Sequence, residues 1–187
     1  VLPIIMYILG IESTAHTFGI GIIKGEKVLA NTKNSYTTKK GGMIPGKAAD
    51  HHVEVCDKVL ADALKKANLT TKDIDLVSYS QSPGIGHALK IGAMFARTLA
   101  AKNNIPLVGV NHCIAHLEIG RLTGASDPVL LYASGANTQI IAYAAGKYRV
   151  FGETLDIGIG NFIDNFARFI GEGFPGGPKI QKLAENG

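Results

Sequence analysis

Apolar residues recur along this chain in two rhythms. Short, largely apolar stretches at Tyr7–Glu12, Gly19–Ile23 and Lys27–Asn31 read as three strands joined by tight turns. Lys24-Gly25-Glu26 is the expected hairpin turn between the last two. A polar, glycine-rich loop over Thr37–Lys47 follows. Ala49, Val53, Cys56, Leu60, Ala63 and Ala67 then repeat at spacings of three and four, which predicts an amphipathic helix. Asp75–Ser80 reads as a buried strand. Leu89, Gly92, Phe95 and Leu99 mark a second helix, and Leu107–Val110 a further strand with a short helix behind it. The pattern then restarts. Val129–Ala133, Gln139–Tyr143 and Tyr148–Phe151 read as three more strands, followed by a helix over about 161–170 and another from about Lys179.

Three strands and then helix, seen twice, implies an α/β chain of two related lobes. The expected division is 1–126 for the first lobe and 127–187 for the second, with Asp127-Pro128 at the boundary. The first lobe reads as a full βββαβαβα unit. The second stops after its opening part, so the chain is expected to be a fragment of a longer protein. The apolar start, Val1 to Ile11, lacks a basic lead and a small-residue cleavage site. It is expected to be the first strand, not a signal peptide.

Composition adds four constraints. The 23 glycines cluster between the apolar runs, the habit of ligand-cradling loops. No uninterrupted apolar stretch is long enough to span a bilayer, so no membrane segment is expected. The two cysteines, Cys56 and Cys113, cannot build a disulfide scaffold, and reduced thiols in a cytoplasmic protein are expected. Net charge is 19 − 15 = +4, which permits contact with nucleic acid without demanding it. Lys39, Lys40, Lys47, Lys65 and Lys66 are expected to be solvated.

The candidate chemistry begins at Asn-His-Cys-Ile-Ala-His. On a helix, His112 and His116 share one face, roughly 5–6 Å apart at Cβ. Two imidazoles so placed can grip a single metal ion. Cys113, not glutamate, follows His112, so this is not the zinc-peptidase pattern and no general base is positioned. Two turns rich in small and hydroxylic residues, Glu12-Ser13-Thr14-Ala15 and Ser134-Gly135-Ala136-Asn137-Thr138, open the two lobes. Backbone N–H groups in such turns can ring a phosphate. That is the logic of actin-like and sugar-kinase-like ATPase folds.

Seven segments together resemble the universal tRNA threonylcarbamoyladenosine synthase family, in its archaeal and eukaryotic branch. They are GIESTAHTFGIGI (10–22), AADHH (48–52), SQSPGIGHALKIGAMFARTLA (80–100), VGVNHCIAHLEIG (108–120), YASGANTQIIAY (132–143), YRVFGETLDIGIGNFIDNFAR (148–168) and FPGGPKIQKLAENG (174–187). That branch is the catalytic subunit of the KEOPS complex, long known as an O-sialoglycoprotein endopeptidase. The resemblance implies a two-lobed actin-like ATPase (ASKHA) fold, its second lobe incomplete here. It implies a metal, iron or zinc, on His112, His116 and Tyr132, with a further aspartate from a C-terminal part absent from this chain. It implies an ATP/AMP-type nucleotide, as part of an adenylate substrate, on Tyr132, Ala133, Ser134, Gly135, Ala136, Asp164, Gly177 and Gln181. The implied reaction is acyl transfer from threonylcarbamoyl-adenylate to N6 of the adenosine 3′ of the anticodon. The implied partners are tRNA, the small KEOPS protein kinase and the small dimerising KEOPS subunit, the last docking on helices 48–67 and 89–103.

Five positions depart from the family pattern. Ala136 replaces the second glycine of S-G-G, and Gln181 an acidic residue. Ile44 replaces a histidine, Ser82 a glycine and His87 a proline. His51 and His52, which the family also carries, are expected at a helix start in a packing role. Two rivals remain beside the transferase reading: a catalytically weakened scaffold of the same complex, and another actin-like phosphotransferase. A peptidase is the least favoured.

Overall fold

A computed structural model describes residues 6–185; the apolar residues 1–5 of the expected first strand lie outside that range. The chain divides into two compact units. One is Val1–Tyr36 with Ile44–His112, the other Thr37–Met43 with Cys113–Gly187.

The first unit is built on a five-stranded sheet from β1 (Tyr7–Glu12), β2 (Thr17–Lys24), β3 (Lys27–Ser35), β4 (Leu76–Ser82) and β5 (Leu107–Asn111). Its order is β3-β2-β1-β4-β5. β1 pairs antiparallel with β2 and parallel with β4, and β4 pairs parallel with β5. Alternation decides which side chains go inside. Phe18, Ile20 and Ile22 of β2 are buried while their neighbours along the strand are more open. They meet Leu9 and Ile11 of β1 and Val77 of β4 in one apolar cluster. Each such side chain contributes roughly 1.5–3 kcal/mol by leaving water.

Two helices cover that face. α1 (Pro45–Ala67) packs on β2 and β3, α2 (Gly86–Asn103) on β4, and the two pack on each other. Val59 and Ala63 of α1 and Ala96 and Leu99 of α2 complete the cluster. α1 begins with proline in its first turn, where the missing N–H costs nothing. That is why the helix starts before the apolar spacing does and takes in the end of the expected loop. Asn68 (φ 56°) and Asn104 (φ 53°) end α1 and α2 in the left-handed conformation, which asparagine tolerates. Lys65 and Lys66 sit in the last turn of α1, where cations favour the helix dipole. His52 is fully buried edge-on to Phe18, so its role is packing. Burial and the neighbouring His51 hold its pKa below the ordinary imidazole range.

The second unit carries an antiparallel sheet of β6 (Val129–Ala133), β7 (Thr138–Ala144) and β8 (Lys147–Glu153) in that order. Helices α4 (Ile159–Phe169) and α5 (Gly177–Ala184) follow. The helix α3 (His112–Glu118) leads directly out of β5. The β7–β8 turn places Ala145 at φ 50° and Gly146 at φ 76°. This pair of positive φ values is the hairpin geometry that suits Asn-Gly, and the Ala145 methyl is strained in it. Ala145→Gly is therefore expected to raise the free energy of unfolding by up to about 1 kcal/mol, read as a higher thermal midpoint.

Among the described residues, no helix is long and apolar enough to cross a membrane. Cys56 and Cys113 are not joined in a disulfide.

Candidate active site

α3 carries His112 and His116 one turn apart, as the sequence spacing requires. His112 is largely buried and His116 exposed, because Cys113 and Leu117 face inward on the same helix. The His116 ring lies beside the Tyr132 ring, with centroids 5.5 Å apart and planes tilted by 54°. Tyr132 is on β6, so a strand and a helix of one unit bring together two of the three expected ligands. Burial pushes the Cys113 thiol above its ordinary range, opposed by a hydrogen bond with Tyr132. Among the described residues, no three His, Cys, Asp or Glu side chains converge into a metal cage. The expected donor set differs from such a cage, being two imidazoles and a phenol.

Behind His112 stands Glu12, the last residue of β1. Its Oε2 accepts from His112 Nδ1 at 3.0 Å and from the Ser80 hydroxyl. Its Oε1 accepts from the Thr14 backbone N–H at 2.7 Å and from the Thr14 hydroxyl. Burial pushes the Glu12 carboxyl upward, but the hydrogen bonds from His112, Ser80 and Thr14 outweigh it and hold the pKa at about 2. Folding thus lowers this pKa from its ordinary 4.5. The resulting stability is present above that value and is lost as the pH falls toward about 2.

The Ser134–Asn137 turn is tied to itself and to α4. Ser134 N–H donates to the Asn137 carbonyl at 3.0 Å, and the Ser134 hydroxyl donates to the same oxygen at 2.7 Å. The first amides of α4 are also consumed. Gly160 N–H donates to the Ser134 carbonyl and Asn161 N–H to that of Gly135, both at 3.0 Å. The approach is close enough to require glycine: a Cβ on Gly160 would meet the Gly135 backbone at 2.8 Å. Ser134 therefore cannot offer its N–H to a phosphate as the sequence reading expected. Gly135 and Ala136 supply the N–H groups that no described bond uses. Ala136 is not among the residues with positive φ, so the alanine at the family's glycine position carries no backbone strain.

α4 presents a polar stripe at Asn161, Asp164, Asn165 and Arg168. These four line a cavity of about 150 Å³ whose other walls include Gly41, Gly42, Gly173, Phe174 and Gly176. The Thr37–Met43 segment joins this unit by main-chain bonding: Thr38 N–H donates to the Phe174 carbonyl at 2.9 Å. Phe174 N–H donates back to the Thr38 hydroxyl at 3.0 Å. Asp164 Oδ1 accepts from Gly176 N–H at 2.7 Å, which fixes the carboxylate at the cavity wall. Gly177 lies outside the lining, with open space beside it, and Gln181 is exposed on α5.

Comparison with known proteins settles the family. The family model described as TsaD, tRNA N6-adenosine threonylcarbamoyltransferase, matches residues 27–187.

The chain belongs to the tRNA N6-adenosine threonylcarbamoyltransferase family.

The threonylcarbamoyltransferase of Thermococcus sibiricus is 59% identical over 182 residues, covering 97% of this chain and 56% of the relative. That of Methanopyrus kandleri is 50% identical, covering 97% of this chain and 55% of its own length. A probable bifunctional tRNA threonylcarbamoyladenosine biosynthesis protein of Thermoplasma volcanium is 52% identical over 97% of this chain and 35% of that protein. The chain thus spans about half the length of the threonylcarbamoyltransferases it matches. Among solved structures, YeaZ from Pseudomonas aeruginosa aligns with a TM-score of 0.55 at 15% identity, over 80% of this chain and 66% of that one. The ethanolamine utilization protein EutJ from Carboxydothermus hydrogenoformans aligns at 0.55 and 13% identity, over 88% and 56%. At such identities the likeness speaks for the fold alone, an α/β fold of the actin-like class. Sequence reasoning took Glu12 only as the opening of a phosphate turn and missed Asn161, Asn165 and Arg168. The signal for the last three was present as polar residues at helical spacing around Asp164. For the pairing of Glu12 with His112 it was absent, because the partners Ser80 and His112 are remote in sequence.

Proposed function

We propose that this chain forms part of an enzyme that transfers threonylcarbamoyl from its adenylate to tRNA. The acceptor is N6 of the adenosine 3′ of the anticodon in tRNAs reading ANN codons. The observation that carries this reading is the family match over 27–187, with both histidines of α3 and Tyr132 in place. The amine attacks the carbamoyl carbonyl, the bond from that carbon to the phosphate oxygen breaks, AMP leaves, and the proton lost by the amine passes to solvent. The demands are orientation of the mixed anhydride and stabilisation of charge growing on its oxygens.

The chain's residues divide that work. The Gly135 and Ala136 N–H groups face the phosphate end. The Asp164 carboxylate, held through Oδ1, offers Oδ2 to a ribose hydroxyl. Gly177 leaves room for close approach, and Gln181 makes a neutral contact where the family has a charge. His112, His116 and Tyr132 fit one divalent metal, since α3 spaces the imidazoles by a turn and His116 already neighbours the phenol. Bound there, iron or zinc would supply a Lewis acid toward the acyl-phosphate oxygens. The enzyme works in the cytoplasm as the catalytic subunit of a KEOPS-type complex, with the small kinase and the small dimerising subunit as partners. The scaffold reading draws on Ala136 and Gln181, and the unstrained backbone at Ala136 weakens it.

The test combines full-length protein, the partner subunits, threonylcarbamoyl-adenylate and unmodified tRNA, with nucleosides read by mass spectrometry. Threonylcarbamoyladenosine and equimolar AMP are expected. Absence of the modified nucleoside, while the Thermococcus sibiricus relative forms it under the same conditions, overturns the reading. ATP-dependent phosphorylation of a small molecule instead establishes the phosphotransferase rival.

A further inference from the structure

Glu12, Ser80 and His112 are remote in sequence yet meet at one sheet edge. Ile11 pairs with Tyr79, and Ser80 with Val110, along the parallel strands β1, β4 and β5. The next steps bring Glu12, Ser80 and His112 to the carboxyl ends of those strands. Open α/β sheets bind their ligands beyond such ends.

The bonding of Glu12 limits what it can do. An ionised carboxylate accepts only, with about four lone-pair sites. Four donors occupy them: the Thr14 N–H, the Thr14 hydroxyl, the Ser80 hydroxyl and His112 Nδ1. A carboxylate so saturated cannot ligate a metal or take a proton without breaking bonds on which its own position depends. It can still act on the imidazole. A carboxylate oxygen 3.0 Å from Nδ1 requires the proton to be on Nδ1, since two lone pairs would repel. In the neutral ring the lone pair is then on Nε2, the form that ligates a metal. Carboxylates behind metal-binding histidines also raise the basicity of the ligand.

We propose that Glu12 is a positioning residue, holding His112 in the Nδ1–H tautomer and at a fixed ring angle so that Nε2 addresses the metal. The inference rests on the reading of His112 as a ligand given above. It goes beyond that reading by assigning a role to a strand residue outside the donor set. Thr14 and Ser80 fix the carboxylate, and the carboxylate fixes the ring.

Two measurements on the full-length protein decide it. Long-range proton–nitrogen correlation spectra of histidine-labelled, metal-free protein at mildly alkaline pH report the tautomer, with His112→Ala identifying the signal. Nδ1 protonated and Nε2 pyridine-like is expected; a proton on Nε2 overturns the proposal. This readout needs no change at Glu12, so it stands even where a Glu12 variant folds poorly. The second measurement is zinc affinity by competition with a chromophoric chelator. Glu12→Gln is expected to weaken binding about 10–100-fold, with Glu12→Asp recovering part of the loss. A purely structural carboxylate would leave both the tautomer and the affinity of folded variants unmoved. If His112→Ala loses zinc while Glu12→Gln does not, the positioning role alone falls. If His112→Ala binds zinc as the parent does, the metal reading falls and takes the proposal with it.

Discussion

His116→Ala is expected to strip stoichiometric metal from the purified protein and to lower threonylcarbamoyl transfer by at least about 100-fold. Loss of an outer-shell partner of a ligand already costs about 10–100-fold in affinity or activity, and loss of a ligand must exceed that. Two further features make this position informative. His116 is exposed, so truncating it opens no cavity in a core. Its neighbour Tyr132 stays anchored in β6, so the strand is not disturbed. Thermal unfolding of the metal-free variant should therefore match that of the metal-free parent, while metal content and transfer both collapse. Metal content is read by elemental analysis, and transfer by the nucleoside assay. A variant that keeps both refutes the assignment of His116.

Gly92→Ala is expected to cost more stability than Ala145→Gly returns. Gly92 is buried in the middle of α2, against the turn that follows β1. A Cβ there would lie 1.8 Å from Ser13 Oγ and 2.8 Å from Ser13 Cβ. Rotating the serine moves its hydroxyl aside, but its Cβ is fixed to the backbone. Ser13 is 1% exposed and has nowhere to go. The helix or the turn must therefore shift. Overpacking costs about 1–3 kcal/mol and alanine returns about 1 kcal/mol of helix propensity, so a net loss of up to about 2 kcal/mol is expected. Urea unfolding measures it. Gly86→Ala, in the same helix with nothing within 4 Å of its Cβ, should cost no stability and serves as the control. Adding Ser13→Ala to Gly92→Ala should recover part of the loss, since it removes the nearer clash and leaves the other. An unchanged midpoint for Gly92→Ala would show that this contact relaxes freely.

Periodicity made most of the elements legible. β1 and β6 fall on the expected residues, β4 starts one residue later than expected and runs two further, and the other strands extend the expected runs by one to four residues at an end. Both lobes' opening strands, and the helices between, follow from where apolar side chains must point. The HxxxH spacing needed only a helix to place both imidazoles on one face, and α3 provides it. The polar stripe of α4 was legible in the same way, although only Asp164 was singled out. Other features were not legible. Nothing local told that the Ser134 N–H would be consumed by Asn137, because that depends on how tightly the turn closes. Nor did spacing separate the crowded Gly176 from the open Gly177.

By itself, then, the chain's pattern determined which segments are strands and helices, the family, and which side chains carry candidate chemistry. Those properties are set by local periodicity and by residue identity. Only the tertiary structure decided that Thr37–Met43 bonds to the second unit, that Arg168 and Asp164 share a cavity, and that Glu12 stands behind His112. Each depends on which strands lie side by side and at what register. Neighbours across a parallel sheet can be a hundred residues apart along the chain, and no local rhythm records such a pairing.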